Sequence, residues 1–285
     1  METDPKISVI IPVLNAGKVL PKILGTVYSQ DYKNIEIIIN DDERTSDNTQ
    51  NVIQEWKDKL DIKYIRKNPR LGAGRLEGAK VATGDLIYHV DADMEFPEGL
   101  LRECVDLVLN HQAKAITICE NNIGEGFWAK CKWLEKNCYC GDDEIESPRF
   151  FVKTFYFEIG GHDPELAFYE DVDVQQKVKA ASVKIMRPKI KIIHNEGKVS
   201  LIKAVKSKFF WVQTGYAYLN KRPKSAWKMA LTSVFRPAFF RNWRLLLKHP
   251  ILTIGMLFMK FAELSGAAAN IFYTKILKRE IKHNH

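Results

Sequence analysis

Two aspartates separated by one small residue, Asp91-Ala92-Asp93, follow an apolar run at 85–90. In an extended segment, residues two apart point the same way, so both carboxylates can meet one ion. A few oxygen ligands suit Mg²⁺ or Mn²⁺, which keep waters and bind substrate phosphates. Glu95, two residues further on, offers a third oxygen. An ion held there would offset the charge growing on a diphosphate leaving group. The ordinary alternative is a solvated acidic turn. A second acidic cluster, Glu170-Asp171-Val172-Asp173, and a histidine after an apolar run, His194, complete the groups with chemistry to offer.

The elements that must position these groups alternate strand and helix patterns. Apolar runs at 7–11, 35–39, 62–65 and 85–90 read as buried strands. Between them, 19–30 carries Leu20, Ile23, Leu24 and Val27 on one helical face, and Asp47-Asn48-Thr49 can cap a helix running toward Trp56. A loop entering a helix follows at 72–82. Repeated strand–helix units predict an α/β fold with a mostly parallel sheet and helices on both faces. Ligands of such sheets bind at the carboxyl ends of the strands. Asn15 follows the first strand, Asp41 and Asp42 the second, Asp91 and Asp93 the fourth.

The ordered segments resemble glycosyltransferase family 2. They are Ser8-Val9-Ile10-Ile11-Pro12-Val13-Leu14-Asn15, then Glu36-Ile37-Ile38-Ile39-Asn40-Asp41-Asp42 with Thr45-Ser46-Asp47-Asn48-Thr49. Arg75-Leu76-Glu77-Gly78, Ala82-Thr83-Gly84-Asp85, Asp91-Ala92-Asp93 and Glu170-Asp171 continue the series. The resemblance implies the nucleotide-binding fold called GT-A and an inverting transfer from a nucleotide sugar. It implies that Pro12, Val13 and Asn15 line the nucleotide pocket and Asp42 bonds the base. Arg75 would lie near the donor phosphates, Asp91 would face ribose or metal, and Asp93 would bind the metal. Asp171 would be the general base, with Glu170 and Asp173 as neighbours that tune it. In related enzymes a late histidine can complete the metal site, and His194 is the candidate here, its ordinary alternative being a structural histidine. The loop after the second strand is one residue longer than usual, so Asp41 is an alternative to Asp42. Leu76 stands where many members have Asn. QxxRW, carried by processive members, is absent, which predicts one sugar per encounter. Asp47 also reads as a simple helix cap, and Arg75 as the partner of a carboxylate rather than of ligand.

Two other motifs are rejected. Gly72-Ala73-Gly74 with Gly78 has one residue too many for a dinucleotide fingerprint and does not follow the first strand. The same position rules out the glycine loop of sugar nucleotidyltransferases. The five cysteines, with a strand-like run near the start leaving no room for a secretory signal, predict free thiols in a reducing compartment.

Charge divides the chain. Residues 198–285 hold 17 basic and 2 acidic residues, net +15, against −7 for 1–197, within a total of +8. This predicts a catalytic domain at 1–197, with a nucleotide-sugar half at 1–120 and an acceptor half at 121–197, followed by a helical region at 198–285. In that region Phe235, Phe239, Phe240 and Trp243 alternate with Arg236, Arg241, Arg244 and Lys248, as suits the headgroup boundary of an anionic membrane. The run at 251–273, interrupted by Lys260 and Glu263, is long enough to span a bilayer, and it also reads as lying in the interface, as a helical hairpin or as an ordinary core helix. Lys275, Lys278, Arg279 and Lys282 favour a cytoplasmic flank. The expected partners are therefore a nucleotide-sugar donor, a lipid-linked or glycolipid acceptor and the cell membrane, not nucleic acid, with Mn²⁺ or Mg²⁺ as cofactor. Membrane attachment with a lipid-carried acceptor resembles dolichol-phosphate mannose synthases, whose acceptor is a polyprenyl phosphate, and the lean toward GDP-mannose is drawn from that partial resemblance. A polyprenyl phosphate needs no base, whereas a hydroxyl does, and the Glu170-Asp171 signature favours the hydroxyl. The rival readings are a polyprenyl-phosphate glycosyltransferase and a non-catalytic membrane adaptor.

Overall fold

The structure, a computed structural model, describes residues 4–67, 71–221 and 236–273. The chain begins with β1 (Ile7–Val13), α1 (Leu20–Tyr28), β2 (Ile35–Asp41), α2 (Thr49–Trp56), β3 (Ile62–Arg66), α3 (Leu71–Val81) and β4 (Leu86–His89). It continues through β5 (Met94–Glu95), α4 (Leu100–Leu109), β6 (Ala115–Ile116), β7 (Glu120–Glu125), α5 (Gly126–Tyr139), β8 (Phe150–Val152) and α6 (Lys153–Glu158). Then come α7 (Glu170–Ala180), β9 (Ile185–Met186), β10 (Ile192–Lys198), α8 (Leu201–Lys221), α9 (Pro237–Arg241), α10 (Trp243–Lys248) and α11 (Pro250–Ile271).

Seven strands form the main sheet in the order β3-β2-β1-β4-β8-β6-β9. The first four are parallel, as their βα alternation requires, and β8 runs antiparallel between β4 and β6. Strand alternation divides the core between the two faces of the sheet. Val9, Ile11, Ile37, Ile39, Tyr88 and Phe150 face α1, α2 and α4, while Ile10, Ile38, Ile87 and Phe151 face α3, α6 and α7. A smaller sheet orders β5-β10-β7.

Register brings the strand ends into line. Val13 pairs with Asp41, and Ile10 with His89, so the residues following β1, β2 and β4 emerge along one edge. Because β8 is antiparallel, its start meets the end of β4: the His89 amide donates to the Arg149 carbonyl at 2.9 Å. At the opposite edge, Glu36 is buried and accepts from Ser8 Oγ at 2.5 Å, Thr83 Oγ1 at 2.9 Å and the Gly84 amide at 3.2 Å. Burial alone would push its carboxyl up, but these donors and Lys6 outweigh it and bring it down to about 2. The Thr83-Gly84 turn is thereby tied to β1 and β2.

The chain forms two compact units. One takes the described residues of Met1–Asn121 and Cys140–Asn195; the other takes Asn122–Tyr139 and the described residues of Glu196–His285. The helical unit therefore includes 122–139, which holds α5. Within it α11 packs along α8 and α5. Asn242 separates α9 from α10, and its side chain bonds the carbonyls of Ala238 and Cys138 at 3.0 and 2.9 Å. Phe235 and the basic group Lys275, Lys278, Arg279 and Lys282 lie outside the described residues.

The expectation of five free thiols is corrected. Cys119 and Cys140 form a disulfide, while Cys104, Cys131 and Cys138 are free and buried. Sequence spacing hides the pair, because the chain leaves after β6, builds β7 and α5, and returns with the two Cα atoms 5.5 Å apart. Peptide mapping of protein purified without reductant should recover one cross-link, Cys119 to Cys140. Five alkylatable cysteines in unfolded, unreduced protein would contradict it.

Candidate active site

Asp91 lies just beyond β4 and accepts from two guanidiniums. Arg75 Nη2 reaches Oδ1 at 2.6 Å and Arg149 Nη1 reaches Oδ2 at 2.6 Å. Arg75 comes from the buried face of α3, which closes on β1 at Gly78, where a Cβ would run into the Ile10 side chain. Burial works against the Asp91 charge, but Arg149 and Arg75 outweigh it and hold the carboxyl well below the usual range. Arg75 Nε also lies 3.6 Å from Glu170 Oε1, at the start of α7. One arginine thus links β4 to the acidic turn that carries Asp171. Asp171 is half-buried, and its Oδ1 takes the Val172 amide at 2.7 Å. Asp173 pairs with Lys177 one turn on, at 2.9 Å. Burial and the adjacent Asp171 push the Glu170 carboxyl up to about 8, against the pull of Arg75.

Asp93 points elsewhere. Its Oδ2 lies 3.4 Å from His194 Nε2, and its Oδ1 is buried without a hydrogen-bond partner. His194 stands on β10, and its Nδ1 is 3.0 Å from Glu120 Oε2 on β7. Burial disfavours the charged imidazole, but Asp93 and Glu120 outweigh burial and raise it to about 10. The other oxygen of Glu120 lies 3.5 Å from Arg149 Nη2, closing a circuit from Asp91 through Arg149 and Glu120 to His194 and Asp93. Glu95 is engaged by Lys22 at 2.7 Å and by Asn195 at 3.4 Å.

For a divalent ion, the residues that fit are Asp93, with its unpartnered oxygen, and His194, an imidazole already oriented by a carboxylate. An ion there would displace the His194 proton. Asp91 is turned to its arginines and Glu95 to Lys22, so these two do not converge with that pair here. Among the described residues, the trio whose ligand atoms do lie within 4.8 Å of one another is Cys119, Cys140 and Glu146, and its two sulfurs are already joined.

The residues expected on the nucleotide side meet at the ends of β1 and β2. Asn15 adopts a left-handed backbone (φ 51°), which asparagine tolerates, and its Oδ1 accepts the Ser46 and Asp47 amides at 2.9 and 3.3 Å. Asp41 is fully buried between Thr45 Oγ1 at 2.5 Å and Tyr64 OH at 2.8 Å. Asp42 is held by Arg44 through Nε at 2.9 Å and Nη2 at 2.7 Å, which keeps its carboxyl below the usual range. Its amide bonds the carbonyl of Val13 at 2.9 Å. Asp47 accepts the Thr49 amide at 3.0 Å where α2 begins and the Gly17 amide at 3.0 Å, so it braces both loops.

Residues 8–158, just over half of the chain, match the Glycosyl transferase family 2. The chain belongs to this family. A relative from Campylobacter jejuni, GalNAc(5)-diNAcBac-PP-undecaprenol beta-1,3-glucosyltransferase, is 32% identical over 159 residues, covering 53% of this chain and 49% of that protein. Dolichol-phosphate mannosyltransferase of Pyrococcus furiosus is 31% identical over 114 residues, covering 39% of this chain and 32% of that protein. The chain thus spans about half the length, or less, of these curated relatives. The structure of mannosyltransferase PcManGT from Pyrobaculum calidifontis, in complex with GDP-Man and Mn²⁺, superposes with a TM-score of 0.65. That superposition covers 95% of this chain and 88% of that one at 16% identity. It is a likeness of fold, and the fold of this family 2 member is of the GT-A kind.

Arg149 and Glu120 were not singled out by the sequence. Neither stands in a distinctive motif; Arg149 lies 58 residues from its partner Asp91, and only the aromatic run at 150–151 marks the strand that delivers it. The raised Glu170 carboxyl has a measurable consequence. The native state keeps a proton that the unfolded chain releases near pH 4.5, so this stabilising contribution is full below about 4.5 and is lost by about pH 8. Unfolding free energies measured across that window should fall less with pH in Glu170→Gln than in the parent. Identical slopes would contradict the assignment.

Proposed function

We propose that this chain is a metal-dependent, inverting glycosyltransferase that moves one hexose from a nucleoside-diphosphate sugar to a hydroxyl of a lipid-linked glycan or glycolipid. The observation that carries the reading is the Arg75 bridge, 2.6 Å from Asp91 and 3.6 Å from Glu170, which sets the acidic start of α7 beside the carboxyl end of β4. Donor and base positions are brought together by one side chain.

Pro12, Val13, Asn15 and Asp42 border the nucleoside, with Asp41 shaping the loop from within. Arg75 and Arg149 present cationic charge beside the diphosphate. Asp93 and His194 would hold Mn²⁺ or Mg²⁺, with Asp91 and Glu95 as neighbours on the same segment, and the ion would offset charge on the diphosphate. Asp171 takes the proton of the acceptor hydroxyl. The freed oxygen bonds to the anomeric carbon as the bond to the diphosphate oxygen breaks on the opposite face, and the nucleoside diphosphate leaves.

A hexose donor and a lipid-linked acceptor are supported by relatives named as a glucosyltransferase acting on an undecaprenol diphosphate glycan and a dolichol-phosphate mannosyltransferase. GDP-mannose is the first donor to try. Residues 1–197 would carry the chemistry and 198–285 the attachment to the cytoplasmic face of the cell membrane.

Asp171→Asn should lower turnover by about 10²–10⁴-fold, the usual contribution of a general base, while donor binding is kept. Radiolabelled transfer to membrane lipid extracts measures it. Undiminished turnover in Asp171→Asn would remove the base and favour a phosphate acceptor.

A further inference from the structure

α11 is long and apolar enough to cross a bilayer by length and composition, with 22 residues or about 33 Å. Its surroundings within the helical unit argue otherwise. On its inner face Met256, Met259 and Lys260 are buried. Lys260 Nζ lies 2.7 Å from Glu135 of α5 and 3.0 Å from Glu263. Gly255 lets α11 close on α5, since a Cβ there would fall 2.7 Å from Cys131 Sγ, and Gly266 lets it close on the Val205 carbonyl of α8, at 2.6 Å. Those partners are not lipid-like: α5 carries Lys130, Lys132, Glu135 and Lys136, and α8 carries Lys203, Lys206 and Lys208 in its first half.

The outer face is the opposite. Ile251, Ile254, Phe258 and Phe261 recur at helical spacing, and Phe240, Trp243 and Leu247 add to them from α9 and α10; exposure runs from 52% at Trp243 to 73% at Ile251. Exposed Arg241, Arg244 and Lys248 alternate with the apolar residues of α9 and α10, and 236–262 contains no acidic residue. An apolar stripe beside a purely basic one matches the boundary of an anionic membrane, where rings enter the acyl edge and cations meet headgroup phosphates.

We propose that α9, α10 and α11 lie in the plane of an anionic membrane, docked through the Phe240–Trp243–Leu247 and Ile251–Ile254–Phe258–Phe261 stripe, and that α11 does not span it. The inference rests on the membrane-borne acceptor proposed above for its choice of partner. Its test contains neither donor nor acceptor, so its outcome is separate from that of the transfer reaction.

The full chain is floated with vesicles of phosphatidylcholine, alone or mixed with phosphatidylglycerol. It should float with the mixed vesicles, bind the neutral ones at least about tenfold less, and be released by alkaline carbonate. Ile254→Glu with Phe258→Glu should lower flotation roughly tenfold or more at an unchanged melting temperature. Arg241→Ser with Arg244→Ser and Lys248→Ser should abolish the preference for phosphatidylglycerol. Retention after carbonate overturns the in-plane arrangement. A folded chain that ignores both vesicles, or a dimer split by Phe258→Glu, assigns the face to another partner and overturns the proposal.

Discussion

Asp91 accepts one hydrogen bond from Arg75 and one from Arg149, and the carboxyl edge of the sheet is arranged around that double contact. The two arginines arrive from opposite directions. Arg75 rides on α3, whose glycines let the helix settle onto β1, and Arg149 precedes β8, whose antiparallel course returns its start to the end of β4. Removing one member of this partly exposed set leaves an uncompensated charge at the strand end. The clamp is therefore structural. It fixes the strand end from which Asp93 projects, and Arg75 Nε comes within 3.6 Å of Glu170 on the turn that carries Asp171.

Much of this was legible because it is local. Each of the first four strands is a short apolar run stopped by polar residues, and in a parallel sheet those stops must share an edge. Asn15, Asp42, Asp91 and Asp93 could thus be assigned to one edge before any contact was known. The reading of Asp47 as a helix cap is corrected by one position: the residue at the cap is Asn48, without a side-chain cap bond, and Asp47 accepts the Thr49 amide beside it. What stayed hidden is non-local. The antiparallel insertion of β8, the Glu120 carboxylate between Arg149 and His194, and the Cys119–Cys140 disulfide each join residues far apart in sequence without periodic pattern. The opposite orientations of Asp91 and Asp93 were equally invisible, because they depend on which cations the fold delivers to each.

The helical unit shows the same contrast. Composition announced a basic, apolar region, but one pattern served equally for a spanning helix and an interfacial one. The distinction lies in Lys260, which in sequence interrupts an apolar run and in the fold is the inner-face partner of Glu135 and Glu263. A charge that is costly in lipid is met here by two carboxylates of its own unit. Recruitment of 122–139 to that unit supplies one of them, and no feature of composition at 122–139 marks it.

In the proposed function, the edge built around Asp91 binds a nucleoside diphosphate through an ion held near Asp93 and His194. Calorimetric titration of the full chain with nucleoside diphosphates, in Mn²⁺ and again with excess chelator, tests it most directly. The expected result is one nucleoside diphosphate bound per chain in Mn²⁺ and none once the ion is removed. Equal affinity with and without the ion, or no binding of any nucleoside diphosphate, would contradict it.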